Sequence, residues 1–228
     1  KPAWYHNTHF NRSYVLSGEY ARTLFPSFTL VTGLETVRTG ISSGNLGIHT
    51  DWNNAVYGEC TGAMKKCQVS LSIRFDRGFR NEQCLTYGAG AVLPAGQKSR
   101  FRVRTEKSFR SPTYTELYYS DPANHGNPRL KSERSRSYEA GFDYAYGRVT
   151  SGLTAFVRTS SSMIDWIRDE GETAWRAENH GLLRTTGMEL TGSAAVRKGW
   201  ICRFSAMVLD QTVERRKGTE SKYALNPA

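Results

Sequence analysis

Polarity alternates with a period of two along most of this chain. Val69, Leu71, Ile73 and Phe75 alternate with Ser70, Ser72, Arg74 and Asp76. Phe101 and Val103 alternate with Arg100, Arg102 and Arg104, and Tyr138, Ala140, Phe142 and Tyr144 with Glu139, Gly141 and Asp143. Met188 and Leu190 lead a fourth such run, and Trp200, Cys202, Phe204, Ala206 and Val208 a fifth. Strict alternation predicts strands whose two faces meet different surroundings. Short turns are predicted near 25–27, 64–66, 94–97, 147–148 and 198–199. Between them lie longer connections rich in Gly, Asn and Asp near 41–52, 110–137, 169–178 and 212–222. The connection at 78–82 is a shorter exception. This interleaving predicts about ten antiparallel strands in up-and-down order. No helix is predicted. Helix–strand alternation and a fixed-period repeat are both missing, which disfavours α/β folds and propellers.

Short turns at one rim and long loops at the other describe a transmembrane β-barrel. A tilted membrane strand needs about 9–11 residues. The runs 27–40 and 178–197 exceed that and would project past the bilayer. Tyr146, Trp166 and Trp200, near strand ends, suit interfacial aromatic girdles. The predicted fold class is therefore all-β, an antiparallel up-and-down transmembrane barrel of roughly ten strands, which the resemblance described below implies to be partial and not closed. In it Arg100, Arg102, Arg104, Glu139 and Asp143 point into the lumen, as do Glu19, Glu35 and Glu189. There opposite charges pair, whereas Arg or Lys facing lipid at the midplane costs about 2–4 kcal/mol. A soluble β-sandwich with one charged face is the competing fold.

Composition changes this picture little. The chain has 228 residues, twelve tyrosines and five tryptophans, too aromatic for a disordered chain. Its mean hydropathy of −0.56 does not exclude a barrel, which carries its apolar residues at every second position. The net charge of +10 invites a nucleic-acid reading, but the basic residues are spread along the chain, so nucleic acid is not expected as a partner. Cys60, Cys67, Cys84 and Cys202 have no zinc spacing. Cys60 and Cys67 flank a turn, where a disulfide competes with a reading as small apolar residues. His49, His125 and His180 are placed in loops, far apart in sequence. No catalytic constellation, metal site or cofactor is predicted.

The segment 109–141 carries the most information. FRSPTYTELYY (109–119) followed by GNPRLKSERSRSYEAG (126–141) closely resembles the barrel signature of TonB-dependent outer-membrane receptors. The family pattern reads FRAP, an aromatic stretch, then GNPxLKPExSxSYExG. Ser111 stands here for the usual Ala and Ser132 for the usual Pro. SSGNLGIH (42–49), IRFD (73–76), MIDWI (163–167), WRAENHG (175–181) and TTGMEL (186–190) keep the family's order. Among members, the spacing is most similar to cobalamin and siderophore receptors. The resemblance implies an internal fragment of the receptor barrel at the outer membrane of a Gram-negative-type bacterium. Residues 1–228 would be part of one barrel domain, with the plug domain and C-terminal strands absent. Both ends, at Lys1 and at 226–228, read as cut. The implied activity is import of a metal chelate or corrinoid. The implied partners are outer-membrane lipid and the TonB energy-transducing complex, which acts through the missing plug.

Two readings of the candidate site residues stand side by side. In one, Pro112, Gly126, Asn127 and Pro128 fix turns, and Glu133 and Glu139 pair with arginines such as Arg110. In the other, Tyr114, Tyr118, Tyr119 and Asn124, with Trp175 and Arg176 of the next loop, touch ligand. Aromatic and amide groups suit large flat molecules. The arginine ladder either docks the plug or attracts an anionic chelate. A passive outer-membrane pore and a basic nucleic-acid-binding β-domain are the alternative functions.

Overall fold

The computed structural model describes residues 7–78, 81–214 and 218–222. Ten long strands build one antiparallel sheet. They are β1 (His9–Phe25), β2 (Phe28–Ser43), β3 (Gly47–Met64), β4 (Cys67–Arg77), β5 (Gln83–Pro94), β6 (Ser99–Arg110), β9 (Glu133–Tyr146), β10 (Val149–Asp169), β11 (Trp175–Arg197) and β12 (Trp200–Glu214). Between β6 and β9 lie a one-turn helix α1 (Tyr114–Tyr118) and two-residue strands β7 (Ser120–Asp121) and β8 (Asn124–His125); β13 (Thr219–Ser221) follows β12. Each long strand pairs with its neighbours in chain order, so the sheet runs up and down from β1 to β12. The predicted turns fall where expected, at 26–27, 65–66, 95–98, 147–148 and 198–199. The expectations attached to Lys1, to 226–228 and to parts of the 78–82 and 212–222 connections fall outside the described residues.

The ladders fix which side chains share a face. Arg100 opposes Asp143, Arg102 opposes Gly141 and Arg104 opposes Glu139. Carried strand to strand, this register puts Glu19, Glu35, Tyr57, Glu59, Arg74 and Glu189 on that same face. The other face carries Leu71, Ile73, Phe101, Val103 and Val208, each between 49% and 75% exposed. A soluble monomer does not display an apolar band of that extent, which argues against the sandwich. No described helix is long and apolar enough to cross a membrane.

Packed core is confined to the long-loop rim. Leu117, Leu130, Ile164, Trp166 and Ala177 form one buried cluster against which Tyr118, Tyr119 and Trp175 pack. The wall itself has little core, because a single sheet layer buries no face against another. Strands of 11 to 23 residues exceed the membrane minimum, and the excess of β10 and β11 builds this rim.

Two expectations are corrected, on the helix and on the histidines, and the two readings of Cys60 and Cys67 are decided. A helix exists: Thr113 caps it, its side chain accepting from the Glu116 N–H while the Glu116 carboxylate accepts from the Thr113 N–H. Cys60 and Cys67 are not bonded. They sit on different rungs of the β3–β4 ladder, Cys60 opposite Leu71 and Cys67 opposite Met64. Four residues of strand separate those rungs, about 13 Å, well beyond disulfide reach. His49 and His180 lie on β3 and β11, and His125 on β8, rather than in open loops. The 41–52 connection is correspondingly shorter than predicted, because β2 and β3 stay paired up to Ser43 and Gly47.

Candidate functional site

The loop between β6 and β9 folds back over the inner face and forms a roof at the rim. Arg110 starts it. Its guanidinium forks between Glu133 (2.7 Å) and Glu116 (3.0 Å), tying the ends of the loop to its helix. Glu133 also accepts from the Ile164 N–H at 2.7 Å. Glu82 accepts from both the N–H and the hydroxyl of Ser132. Asn179 on β11 holds Lys131 through both its amide groups at 2.8 Å and also donates to the Ser162 carbonyl. Gly126 is required where it stands: a Cβ would lie 2.9 Å from the Leu117 carbonyl carbon and 3.0 Å from the Glu116 oxygen, both backbone. These ties anchor a roof on strands on both sides of its own hairpin.

Two aromatic groups come out of this arrangement. In the first, Tyr118 stacks on His49 with centroids 3.6 Å apart and planes 5° from parallel, and Tyr114 flanks the pair at 6.1 Å from His49. The Tyr114 hydroxyl reaches the Thr39 hydroxyl at 3.3 Å. Helix α1 therefore spans from β6 to β2 and β3 across the concave side of the sheet. Beneath it lies a cavity of about 860 Å³ lined by Thr39, Asn53, Tyr57, Arg74, Arg104 and Tyr114 among others. In the second group, the short β7–β8 hairpin lies beside β11, with β8 parallel to it. Lys222 donates to Asn124 at 2.5 Å and sits 5.6 Å and 5.1 Å from the Trp166 and Trp175 ring centres. Arg168 covers the Trp175 ring at 4.6 Å. Tyr119 donates to Asp121 and meets Trp166 edge-on.

The Asp121 carboxyl shows how tightly the hairpin is wired. Partial desolvation pushes its pKa up, but hydrogen bonds from the Tyr119 hydroxyl, the Ala123 N–H and the Asn124 amide outweigh this and hold it below the usual carboxylate range.

The cavity floor is a charged network on β1 to β4. Arg74 donates to Asp76 through Nε at 3.0 Å and to Glu35 at 2.6 Å, and lies over the Tyr57 ring at 5.6 Å. Asn53 donates to Asp76, whose residue is 1% exposed, and Tyr57 donates to Glu19. Further along the wall, Arg100 pairs with Asp143 at 2.7 Å. Arg102 lies 3.0 Å from the same carboxylate and donates to Thr154. Arg104 pairs with Glu106 rather than with Glu139, which its register offers.

The six candidate contact residues thus separate. Tyr114 and Tyr118 are brought to His49 over the cavity. Tyr119, Asn124 and Trp175 join the second group. Arg176 is held by Asp169 at 2.8 Å and by Glu172 and Glu178. Asp76, Glu82 and Asn179 belong to the site and are not singled out by sequence, and His49 is read there only as a loop histidine. The Arg74–Asp76 pair had a readable signal, since opposite charges two apart on a strand share a face.

A single curved sheet with an apolar outer face, a charged inner face and a roofed long-loop rim is the wall of an outer-membrane-type β-barrel. The family description "TonB dependent receptor-like, beta-barrel" matches residues 3–220, and the chain belongs to that family. It is 27% identical over 170 residues to the vitamin B12 transporter BtuB of Vibrio vulnificus, a match covering 72% of this chain and 27% of that one. The corresponding protein of Photobacterium profundum is 24% identical over 168 residues, with the same coverage. The chain therefore spans about a quarter of the length of the curated relatives it matches. Among solved structures, the siderophore receptor PirA from Pseudomonas aeruginosa superposes with a TM-score of 0.77 at 17% identity, covering 90% of this chain and 43% of that one. A mutant of the ferric enterobactin receptor PfeA of the same organism, in complex with enterobactin, gives 0.75 at 16% identity, with 88% and 36% covered. At these identities the structures establish the fold.

Proposed function

We propose that this chain forms part of the barrel domain of an outer-membrane receptor that captures and imports a scarce, bulky ligand, a metal chelate or corrinoid. The observation that carries this reading is the roof of the 111–132 loop, fastened over a charged cavity on the inner wall. Transport is energised by the TonB complex acting through a plug that the rest of the protein supplies. Residues 1–228 belong to one barrel domain, set in the outer membrane of a Gram-negative-type bacterium. The chemistry is binding and gating, with no covalent step.

Within this reading Tyr114 and Tyr118, with His49, face the ligand. Tyr119, Asn124 and Arg176 hold the neighbouring roof in place through polar groups already engaged, and Trp175 through its ring, which Arg168 and Lys222 cover. The inner arginines Arg100 and Arg102, with Asp143, form a polar wall against which a plug packs, with Arg104 and Glu139 beside them. Uptake of cyanocobalamin and ferric enterobactin by cells producing the full-length protein tests the function. One of the two should accumulate, and deletion of TonB should abolish it. A large open conductance of the purified full-length protein in planar bilayers would overturn the reading in favour of a passive pore.

A further inference from the structure

The two rims of the wall differ in charge. At the long-loop rim acids and bases are intermixed: Arg110, Arg134, Arg168 and Arg176 each pair with a carboxylate. At the short-turn rim the pattern is one-signed. The five turns, with two residues on either side of each, contain seven Lys or Arg and no Asp or Glu. Arg100 is paired with Asp143. The other six, Lys65, Lys66, Lys98, Arg148, Arg197 and Lys198, are all exposed, and among the described residues none forms an ion pair.

Large exposed aromatic rings sit at the same level. Phe25, Tyr146 and Trp200 are 68%, 59% and 70% exposed, and the Lys98 ammonium lies 3.5 Å from the Tyr146 ring centre. Hairpins recur along a sheet about every 10 Å, close to the Debye length of about 8 Å at physiological salt, so the charges of neighbouring turns reinforce one another. A ring of cations beside a ring of aromatics matches a bilayer interface, where aromatic bodies sit at the acyl boundary and cations meet phosphates.

We propose that the short-turn rim binds anionic phospholipid headgroups of the inner leaflet. This rests on the barrel reading above, which places short turns at the periplasmic side. The lysines and arginines of four successive turns each engage a headgroup phosphate, and Tyr146 and Trp200 lie against the adjoining chains. The wall would then carry a shell of negative lipid on its periplasmic edge, ordered by electrostatics rather than by a pocket.

The test uses the full-length receptor in vesicles of mixed phosphatidylglycerol and phosphatidylcholine, each spin-labelled in turn. Electron spin resonance reads the fraction of each lipid immobilised by the protein. The unaltered receptor should prefer phosphatidylglycerol by about three- to tenfold, and high salt should weaken the preference. The combined variant Lys65→Gln, Lys66→Gln, Lys98→Gln, Arg148→Gln, Lys198→Gln should fall below about twofold. The milder Lys65→Gln, Lys66→Gln pair should lose a proportionate part, which covers a failure of the larger variant to fold. Arg12→Gln with Arg38→Gln, near the opposite rim, should leave the preference intact. Equal immobilisation of both lipids by the unaltered receptor overturns the proposal, as does a preference that survives the turn substitutions. Absence of any immobilised lipid would instead sink the membrane reading on which it rests.

Discussion

The imidazole of His49 on β3 lies flat against the ring of Tyr118 on α1, 3.6 Å between centres and 5° from parallel. The two residues stand 69 positions apart in the chain, and their contact fastens the roof to the far wall of the cavity. His49 is further fixed by the Leu46 carbonyl at 2.6 Å from Nε2. Replacing either ring by alanine should therefore cost about 0.5–1.5 kcal/mol beyond lost area, and the two replacements together less than the sum. Urea unfolding of the refolded full-length protein, in a double-mutant cycle, measures the coupling. Additive effects would mean that the stack contributes nothing of its own.

Gly126 should tolerate no side chain. Its Cβ would meet backbone of α1, which cannot move aside as a flexible side chain would. Gly126→Ala is expected to destabilise the roof by about 1–3 kcal/mol while leaving the wall strands intact. Hydrogen exchange should show faster exchange confined to residues 111–132.

Arg110 binds Glu116 and Glu133 through a planar fork that lysine cannot reproduce. Its side chain is 42% exposed, so solvent screening limits its worth. Arg110→Lys should cost about 1 kcal/mol and loosen the cap of α1 together with the start of β9. Protease cleavage after residue 116, measured against time, reads that loosening.

Acid should open the β7–β8 hairpin late. The Asp121 pKa is held below its ordinary value, so its contribution is present above the unfolded-state pKa and is lost as pH falls through the lower folded-state value. The Trp175 fluorescence signal of the hairpin region should stay constant down to pH about 4 and change only below it. Asp121→Asn should remove that transition; a midpoint at or above the ordinary carboxylate value would contradict the assignment.

A methyl group on Gly33 should disturb the cavity floor. Its Cβ would fall 2.2 Å from the Tyr57 ring, which lies across that glycine to reach Glu19. Tyr57 must then swing away from Glu19 and from beneath Arg74. Gly33→Ala is expected to change ligand affinity while the barrel still folds, with cyanocobalamin and ferric enterobactin titrations as the readout.

The wall was legible in the sequence because its physics is local. Alternation of Arg100, Arg102 and Arg104 with Phe101 and Val103 reports two faces directly, and Lys65–Lys66 or Gly147–Arg148 report turns without reference to anything distant. The helix was overlooked although its signal was present: Thr113 and Glu116 stand at capping-box spacing. A single turn of five residues is too short to show a helical period against the period-two runs on either side. The site was legible only in part. Tyr114 and Tyr118 could be singled out by residue type. Their meeting with His49 depends on how far the sheet curves, and no local pattern encodes curvature. Asn179 and Glu82 were invisible for a related reason: a polar residue that clamps a loop looks like any other surface amide or acid until the loop is placed over it. Cys60 and Cys67 show the converse: nearness along a hairpin is not opposition across it, and the register leaves both unbonded.

Among the described strands the long ones all run antiparallel to their neighbours, whereas β8 lies parallel to β11, Asn124 beside Trp175 and His125 beside Arg176. A parallel neighbour cannot be reached by a tight turn, and β11 is the third long strand to follow the loop in the chain. The hairpin of β7 and β8 therefore has nothing to pair with until β9, β10 and β11 have been laid down. That imposes a sequence in time on the assembly: the wall must be raised past the hairpin before this part of the roof can be set. A chain arrested before β11 would carry residues 120–125 loose even with α1 already seated on β2 and β3, so a paired hairpin marks a wall whose construction has passed that stage.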